Sequence, residues 1–308
     1  MITVIMSTYH EPIDYISKAI DSILNQTYSD FEFIIVIDDP KRKDIVELIK
    51  KKHDSRIVPL LNDRNLGLTA SLNRAIDFAN GEYIARMDAD DISRPDRLKR
   101  QLSYLVSNRY DLIGSDISNI NSNDKIIRPH VAYPRDNNSI NKILRHNNPI
   151  PHPTWFGKAD IFKDNKYIDF LACEDYEFLV RISLHGKRLG NISEVLLDYR
   201  INTEGISFKK KGLQRTGLAY ISKNFRKKKI SKYSEYKKYI NSQKGKRRIK
   251  LTQKFFEIVR KLKDNSSPTK RLLIILTNMP IMLSTVGFEN IYGAIEMRSI
   301  RRKNQGNK

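Results

Sequence analysis

The sequence predicts an α/β domain in which helices flank a mostly parallel sheet. Through about residue 115, short β-branched apolar runs alternate with segments whose apolar residues recur at helical spacing. Proline, glycine and asparagine separate these segments. Such strand–helix alternation is typical of βαβ units, whose parallel strands are buried on both faces, and it predicts a doubly wound, Rossmann-like sheet.

Five strands and four helices are predicted in order along residues 1–115. Apolar runs of mainly β-branched residues predict strands at residues 2–7, 33–37, 57–61, 83–87 and 112–114. Helical spacing of apolar residues predicts helices after Pro12, around 45–49, from Thr69 and from Pro95. Proline suits a first helical turn, and Thr69 is a good N-cap.

The pattern is less regular after residue 116. Residues 119–148 are rich in Asn and Asp, and we expect them to loop over the site. Residues 172–188 predict a helix that opens on Glu174 and Asp175, since acids in a first turn suit the helix dipole.

Charge divides the chain near Gly205. Residues 205–308 hold 28 Lys+Arg against 5 Asp+Glu, whereas residues 1–204 hold 28 against 30. We therefore expect a catalytic domain at 1–204, with halves 1–115 and 116–204, and a basic, mainly helical extension at 205–308. The single cysteine, Cys173, and the absence of zinc-ligand spacing indicate a reducing compartment.

Acidic residues follow two of the predicted strands, and the hydroxyl-bearing residues Ser7, Thr8 and Tyr9 end the first. Asp38 and Asp39 follow the second strand, and Asp88, Asp90 and Asp91 follow the fourth. Ligands bind at the carboxyl ends of strands in such sheets. Asp88 and Asp90, two residues apart, lie on one face of a strand and suit Mg²⁺ or Mn²⁺. The alternative is a solvated acidic loop before the next helix.

Other candidate residues each have a simpler structural interpretation. Asp38 could accept hydrogen bonds from a base or ribose, or could be a turn residue before Pro40. Asp175 could be a general base, or an ordinary first-turn acid. His152 could fix its loop or belong to the site. No G-x-G-x-x-G, Walker or G-x-S-x-G motif is present, which argues against dinucleotide, P-loop and serine-hydrolase chemistry.

Several motifs in a fixed order resemble a known family. They are VIMSTYHEP, SILNQTYSDFEFIIVIDD, NLGLTASLNRAI, GEYIARMDADDISRPDRL, HPTWF, CEDYEFLVRISLHGK and LLDYR, and they span about residues 2–200. The chain resembles the inverting family 2 glycosyltransferases of the GT-A fold, particularly bacterial enzymes that build capsule and O-antigen polysaccharides.

The resemblance implies roles for individual residues. Implied nucleotide-binding residues are Thr8, Tyr9, Glu11, Asp38, Asn65, Gly67, Asn73, Arg86 and Asp88. Asp88 and Asp90 match the Asp-x-Asp that holds Mn²⁺ or Mg²⁺, and Asp175 beside Glu174 matches the catalytic base. His152 and Trp155 are implied on the acceptor side. The usual Asp-Asp-Gly-Ser is Ile37-Asp38-Asp39-Pro40 here, so either aspartate could read the base, and Asp38 is preferred.

The implied reaction is a direct displacement with inversion at the sugar. Asp175 takes a proton from an acceptor hydroxyl, which attacks a nucleotide-diphosphate sugar, UDP being the commonest nucleotide of the family. The Gln-x-x-Arg-Trp motif of processive synthases is absent, which favours one sugar per encounter. The alternatives are a sugar-nucleotide pyrophosphorylase, or a basic lipid- or nucleic-acid-binding protein with a degenerate catalytic domain.

The basic extension predicts contact with a membrane. Its Lys/Arg clusters at 209–211, 226–229 and 244–250 precede an apolar stretch at 272–288, which is shorter than the about 20 residues of a spanning helix. We expect a peripheral anchor on anionic lipid, a cytoplasmic enzyme on the inner face of the bacterial plasma membrane, and a lipid-linked acceptor. A solvated basic face is the simpler alternative, and nucleic-acid binding is disfavoured because no such module is recognisable.

Overall fold

A computed structural model of the 308-residue chain describes residues 1–201, 211–292, 295 and 299, with only the backbone of Lys263. Of the predicted basic cluster 209–211, only Lys211 lies within these residues. The strands are β1 Ile2–Thr8, β2 Phe31–Ile37, β3 Ile57–Leu61, β4 Tyr83–Asp88, β5 Ile92–Ser93, β6 Leu112–Ile120, β7 Ile126–Val131, β8 Phe156–Lys158 and β9 Leu189–Arg200.

Helices precede and follow these strands. In the catalytic part they are α1 Ile13–Leu24, α2 Lys43–Lys52, α3 Leu68–Phe78, α4 Arg97–Asn108, α5 Asn137–Ile143, α6 Ala159–Asn165 and α7 Glu174–Leu184, with a 3-10 turn at His152–Thr154. In the extension they are α8 Lys211–Arg226, α9 Tyr233–Asn241, α10 Gln243–Asp264, α11 Pro268–Thr277 and α12 Met279–Met282, and residues 285–292 are also helical.

The described strands form one sheet in the order β3-β2-β1-β4-β8-β6-β9-β5, with β7 paired to β6. Strands β3, β2, β1 and β4 are mutually parallel, with Ile2 of β1 opposite Phe31 of β2 and Tyr83 of β4. Strand β8 joins β4 to β6 in antiparallel pairing, and β9 lies parallel to β6. The predicted α/β class with a Rossmann-like parallel core is confirmed, and this core brings the carboxyl ends of β1, β2 and β4 to one edge.

Two sequence expectations about local structure are wrong. Residues 119–148 are not a continuous loop, because they include the end of β6, strand β7 and helix α5. Helix α3 begins at Leu68 rather than at Thr69. Gly67 is its N-cap with φ +86, a backbone conformation that glycine adopts without a steric penalty.

The first helices of the extension pack directly behind α7. Ile221 of α8 and Tyr236 of α9 lie in the same buried cluster as Cys173 and Tyr176. Gly217 makes this close approach possible, since a Cβ at that position would stand 2.9 Å from the Cys173 sulfur. The extension is helical, as predicted, and α8 supports the helix that carries Glu174 and Asp175.

Candidate active site

Three carboxylates converge where β4 ends. Asp88 closes the strand, Asp90 and Asp91 lie in the following turn, and one carboxylate oxygen from each lies within 4.8 Å of the others. One oxygen of Asp91 accepts the backbone N–H of Arg200 at 2.8 Å, while its Oδ2 is buried without a partner. Hard oxygen ligands in this number suit Mg²⁺ or Mn²⁺, so the residues fit the predicted cation.

The electrostatics of this cluster favour a bound cation. Burial, followed by the negative charges of Asp88 and Glu11, raises the pKa of Asp90 to about 7. Burial and the neighbouring Asp90 and Asp88 raise the pKa of Asp91 well above its ordinary value. Carboxylates that repel one another in a poorly solvated place ionise together most readily beside a positive charge.

Arg200, at the end of β9, fixes the acidic turn from a distant part of the chain. Its guanidinium donates to the backbone oxygens of Asp90 at 2.7 Å and Asn121 at 2.8 Å, and its backbone N–H donates to Asp91. Arg200 therefore holds the turn through one backbone acceptor and one side-chain acceptor.

Helix α4 fixes the strand that leads into the turn. Arg97 is fully buried and donates from Nη2 to the backbone oxygen of Arg86 at 2.6 Å. One turn later, Gln101 donates to the backbone oxygen of Thr154 at 2.7 Å. The helix thus joins β4 to the loop that contains His152.

Arg86 is a buried cation with unused hydrogen-bond donors. Its Nη2 pairs with Asp88, and its side chain is about 3% exposed, yet Nε and Nη1 have no partner. Burial acts to lower the pKa of the guanidinium, but the charge and hydrogen bond of Asp88 raise it overall. The same charge also acts to lower the pKa values of Glu174 and Asp175, which places Arg86 in electrostatic range of both acidic groups.

Asp175 is held in the first turn of α7 by two donors. Its Oδ2 accepts the side-chain amide of Asn148 at 2.7 Å, and its Oδ1 accepts the backbone N–H of Tyr176 at 2.7 Å. Burial raises the pKa of Asp175, and these hydrogen bonds and Arg86 partly offset the rise. Burial and the adjacent Asp175 raise the pKa of Glu174 to about 7. A carboxylate that two donors fix in this way is suited to the role of general base.

His152 and Trp155 lie in an aromatic group beneath the site. The Nε2 of His152 lies 2.8 Å from the hydroxyl of Tyr167, and burial lowers the pKa of His152 well below its ordinary value. Trp155 has no exposed surface and donates to the backbone oxygen of Ile150 at 3.3 Å. A side chain without accessible surface supports the site through packing, and the place of Trp155 on the acceptor side stays a prediction.

The predicted nucleotide loops are connected by local hydrogen bonds. Glu11 accepts the hydroxyl of Thr8 at 2.9 Å and the backbone N–H of Tyr9 at 2.7 Å, which closes the loop after β1. Asn65 accepts the backbone N–H of Gly67 at 2.9 Å. The side chain of Asn73 accepts the backbone N–H of Tyr167 at 2.8 Å and donates to the backbone oxygen of Tyr167 at 2.9 Å. These two hydrogen bonds hold the segment beside His152.

Asp38 is buried, and protein donors occupy both of its carboxylate oxygens. Oδ1 accepts the amide of Asn62 at 2.7 Å and the backbone N–H of Leu66 at 2.8 Å, and Oδ2 accepts the N–H of Gly67 at 2.8 Å. Asp39, the next residue, is partly exposed, and its Oδ1 accepts only the N–H of Lys41 at 2.9 Å among the described residues.

This difference predicts separate effects for the two aspartates. Asp38→Asn should lower the free energy of unfolding by about 1–3 kcal/mol, because asparagine has one oxygen and its NH2 group would face a donor that then lacks an acceptor. Asp39→Asn should leave stability nearly unchanged. Urea denaturation of both variants measures this, and equal destabilisation of the two would contradict it.

Four residues of this arrangement were not assigned a role from the sequence: Asp91, Arg97, Asn148 and Arg200. Asp91 and Arg97 lie inside the motif GEYIARMDADDISRPDRL, and Arg200 is the last residue of LLDYR. Their position in these motifs could have marked them as site residues. Asn148 gave none, because its role depends on a contact with a residue 27 positions away.

The sequence family of this chain defines its class as a glycosyltransferase. The chain belongs to the family described as Glycosyl transferase family 2, whose sequence profile matches residues 3–165. It is 39% identical over 205 residues to the uncharacterised glycosyltransferase MJ1057 of Methanocaldococcus jannaschii, covering 65% of this chain and 71% of that protein. It is 38% identical over 226 residues to the O-antigen biosynthesis glycosyltransferase WbnJ of Escherichia coli, covering 71% and 84%.

Solved structures support the GT-A fold. S. aureus TarS 1-349 in complex with UDP-GlcNAc matches with a TM-score of 0.61 at 14% identity, covering 100% of this chain and 92% of that one. The mannosyltransferase PcManGT of Pyrobaculum calidifontis, in complex with GDP-Man and Mn²⁺, matches with a TM-score of 0.58 at 15% identity, covering 100% and 87%. At these identities the likeness concerns the fold.

Proposed function

We propose that the protein is an inverting, metal-dependent glycosyltransferase that moves one sugar from a nucleotide-diphosphate donor, a UDP-sugar in the first instance, to a hydroxyl of a saccharide acceptor. The proposed pathway is surface-polysaccharide synthesis, which the O-antigen and amylovoran names of two relatives support. The proposed acceptor is lipid-linked, at the inner face of the plasma membrane.

One observation carries this proposal. The carboxylates of Asp88, Asp90 and Asp91 converge after β4, and a second carboxylate pair opens α7, with Arg86 in electrostatic range of both groups. One group suits the cation of a diphosphate, and the other suits a base for the acceptor. Displacement with inversion requires these two functions at separate positions.

Asp175 performs the proton transfer in this mechanism. Its carboxylate, oriented by Asn148, accepts the proton of the acceptor hydroxyl as the oxygen attacks the anomeric carbon. The bond to the nucleotide diphosphate breaks on the opposite face, so the anomeric configuration inverts. Glu174, whose pKa is raised to about 7, is a second proton-binding group beside the base.

Asp88, Asp90 and Asp91 would hold the cation, and Mn²⁺ or Mg²⁺ there would screen the negative charge of the departing diphosphate. Two buried nitrogens of Arg86, Nε and Nη1, have no partner, and their N–H groups are available to oxygens of the sugar nucleotide on the same side of the site. Hydrogen bonds from a fixed guanidinium to developing negative charge stabilise a transition state strongly in a water-poor site.

We assign recognition of the base to Asp39 rather than to the initially preferred Asp38. The saturation of Asp38 by three protein donors and the exposure of Asp39 support this assignment. Asp39→Asn is then expected to weaken nucleotide binding while it leaves the stability of the protein unchanged. His152 remains proposed on the acceptor side, where its ring orients Tyr167.

Calorimetric titration with UDP, GDP, dTDP and CMP, each with Mn²⁺ and again with EDTA, tests the function. Metal-dependent binding of one nucleotide is expected, and it selects the sugar donors for a transfer assay whose product anomer is read by NMR. Absence of binding to all four, or retention of the donor's anomeric configuration, would contradict the proposal. Release of pyrophosphate from a nucleoside triphosphate would identify a pyrophosphorylase instead.

Asn148→Ala is expected to move the acid limb of the kcat–pH profile to higher pH. The Asn148 hydrogen bond stabilises the ionised form of Asp175, so its loss raises the pKa of the base, and the base stays protonated to a higher pH. Activity should fall most at the acid end of the profile and recover as the pH rises. A pH-independent loss of activity would indicate a purely structural role.

A further inference from the structure

The end of the extension presents large apolar side chains to solvent. We call the following residues the apolar surface: Leu272, Leu273, Leu276, Met279, Leu283 and Phe288. Leu272, Leu273 and Leu276 of α11 are 57%, 62% and 54% exposed, and α11 and α12 have no buried residue. A helix with this many leucines and isoleucines is ordinarily buried. An exposed apolar patch of this kind marks an interaction surface.

Positive charge adjoins the apolar surface. Lys270 and Arg271 are exposed immediately before Leu272. Helix α10 contains the basic sequence KGKRRIK, in which Arg248 forms an ion pair with Glu289, next to Phe288. Residues 205–308 as a whole carry 28 Lys+Arg against 5 Asp+Glu. Apolar side chains beside a concentration of cations match the boundary between acyl chains and anionic headgroups. Nucleic acid would use the cations but would leave the leucines in water.

The dimensions of α11 suit a helix that lies on a membrane. Its 10 residues extend about 15 Å, half of the hydrocarbon thickness of about 30 Å. Among the residues that the structure describes, no helix combines the length and apolar character needed to cross a membrane. Docking parallel to the surface would bury the leucines and leave the basic side chains among the headgroups.

The helical residues 285–292, which include Phe288 of the apolar surface, contact the loop that leads to Asn148. The ring of Tyr292 lies 5.3 Å from the ring of His146, and Asn148, two residues further, donates to Asp175. Helix α8 holds the same loop, since Ser222 donates to the backbone oxygen of Arg145 at 2.5 Å. The loop beside the proposed base therefore contacts two elements of the extension.

We propose that the apolar surface and its flanking cations dock the protein on an anionic bilayer, with the acceptor side of the site next to the lipid. This arrangement brings the saccharide of a lipid-linked acceptor to Asp175 without removing the lipid from the membrane. The proposal rests on the proposed function only for the nature of the acceptor, because docking itself requires no catalysis.

Vesicle co-sedimentation of the full chain, without nucleotide, tests the docking. Leu272→Glu/Leu276→Glu is compared with the matched control Ile126→Glu/Ile127→Glu, whose isoleucines on β7 are 54% and 56% exposed. The wild type and the control should bind phosphatidylglycerol-containing vesicles and should bind pure phosphatidylcholine much less. We expect the leucine variant to bind the anionic vesicles at least about tenfold more weakly, since two charges are placed in the apolar layer. A second variant, Lys270→Glu/Arg271→Glu, should reduce binding to anionic vesicles selectively.

Three results would overturn this inference. One is equal vesicle binding by the wild type and the leucine variant, and another is equal weakening by the β7 control. The third is a wild-type dimer in light scattering that the leucine substitutions convert to a monomer without changing vesicle binding, which would make the apolar surface a contact between two copies. Metal-dependent nucleotide binding is measured on the same variants, so a failure of docking and a failure of the transferase proposal are distinguishable.

Discussion

Replacing Asp175 by asparagine is expected to lower kcat by about 10²–10⁴-fold, the usual contribution of a positioned general base. Asparagine keeps the size of the side chain and can still receive the N–H of Tyr176, but it cannot take the acceptor proton. Donor binding should be unaffected, because the metal cluster lies on a different element. Steady-state transfer assays, combined with calorimetric nucleotide titration, measure both quantities.

Glu174→Gln is the matched control for that substitution. It alters the neighbouring carboxylate and removes one negative charge, while Asp175 keeps its contact with Asn148. We expect a much smaller loss of kcat, because Asp175 remains ionisable and keeps both of its hydrogen-bond donors. A larger loss for Glu174→Gln than for Asp175→Asn would transfer the role of base to Glu174.

The second large effect is expected at the acidic cluster. Asp90→Asn should weaken Mn²⁺-dependent nucleotide binding by at least about 100-fold, since substitution of groups that merely orient metal ligands already costs 10–100-fold. It also removes one of the like charges that raise the pKa of Asp91, so the folded protein should lose none of its stability to urea. Titration with nucleotide in Mn²⁺ and in EDTA measures the metal-dependent part.

Asp63→Asn provides the comparison, because Asp63 is an exposed acid outside the cluster. Nucleotide affinity should be the same as in the wild type in both buffers. Full metal-dependent binding by Asp90→Asn would exclude this cluster as the cation site, and it would also remove the observation on which the proposed function rests.

The parallel core could be predicted because its strands are continuous apolar runs. In β2, six of seven residues are buried. A strand that is buried on both faces needs apolar residues at nearly every position, and this run can be recognised in the sequence. The clustering of Asp88 and Asp90 followed from the same pattern, since the end of a buried strand determines where the next polar residues lie. Helix α7 was also predictable, from acids followed by an apolar period.

Strand β6 shows why other parts could not be predicted. It buries Ser115, Asp116 and Ser118, residues that ordinarily indicate a loop. Asp116 is tolerated there because Arg135 donates to both of its oxygens, at 2.5 and 2.7 Å, and His130 lies 2.6 Å away. Partners 14 and 19 residues away are set by the tertiary fold, and local propensity contains no information about them.

The same limit applies to the site. Period-two spacing identified Asp88 and Asp90, but it could not show that protein donors occupy both oxygens of Asp38. It also could not show that Asn148 meets Asp175 or that Arg86 retains two unpaired donors. Each of these facts depends on contacts between segments that the chain brings together only after folding.

The hydrogen bonds of Arg200 have a consequence for biosynthesis. The acidic turn belongs to the first hundred residues, yet its backbone partner at Asp90 is supplied by a residue 110 positions later. A nascent chain emerging from the ribosome can pair β1, β2 and β4 early, but the turn lacks this clamp until β9 has been translated. The ability of the acidic turn to bind a cation should therefore appear late and in a single step during synthesis. Ribosome-bound fragments that end before β9 should contain a sheet without an ordered acidic turn.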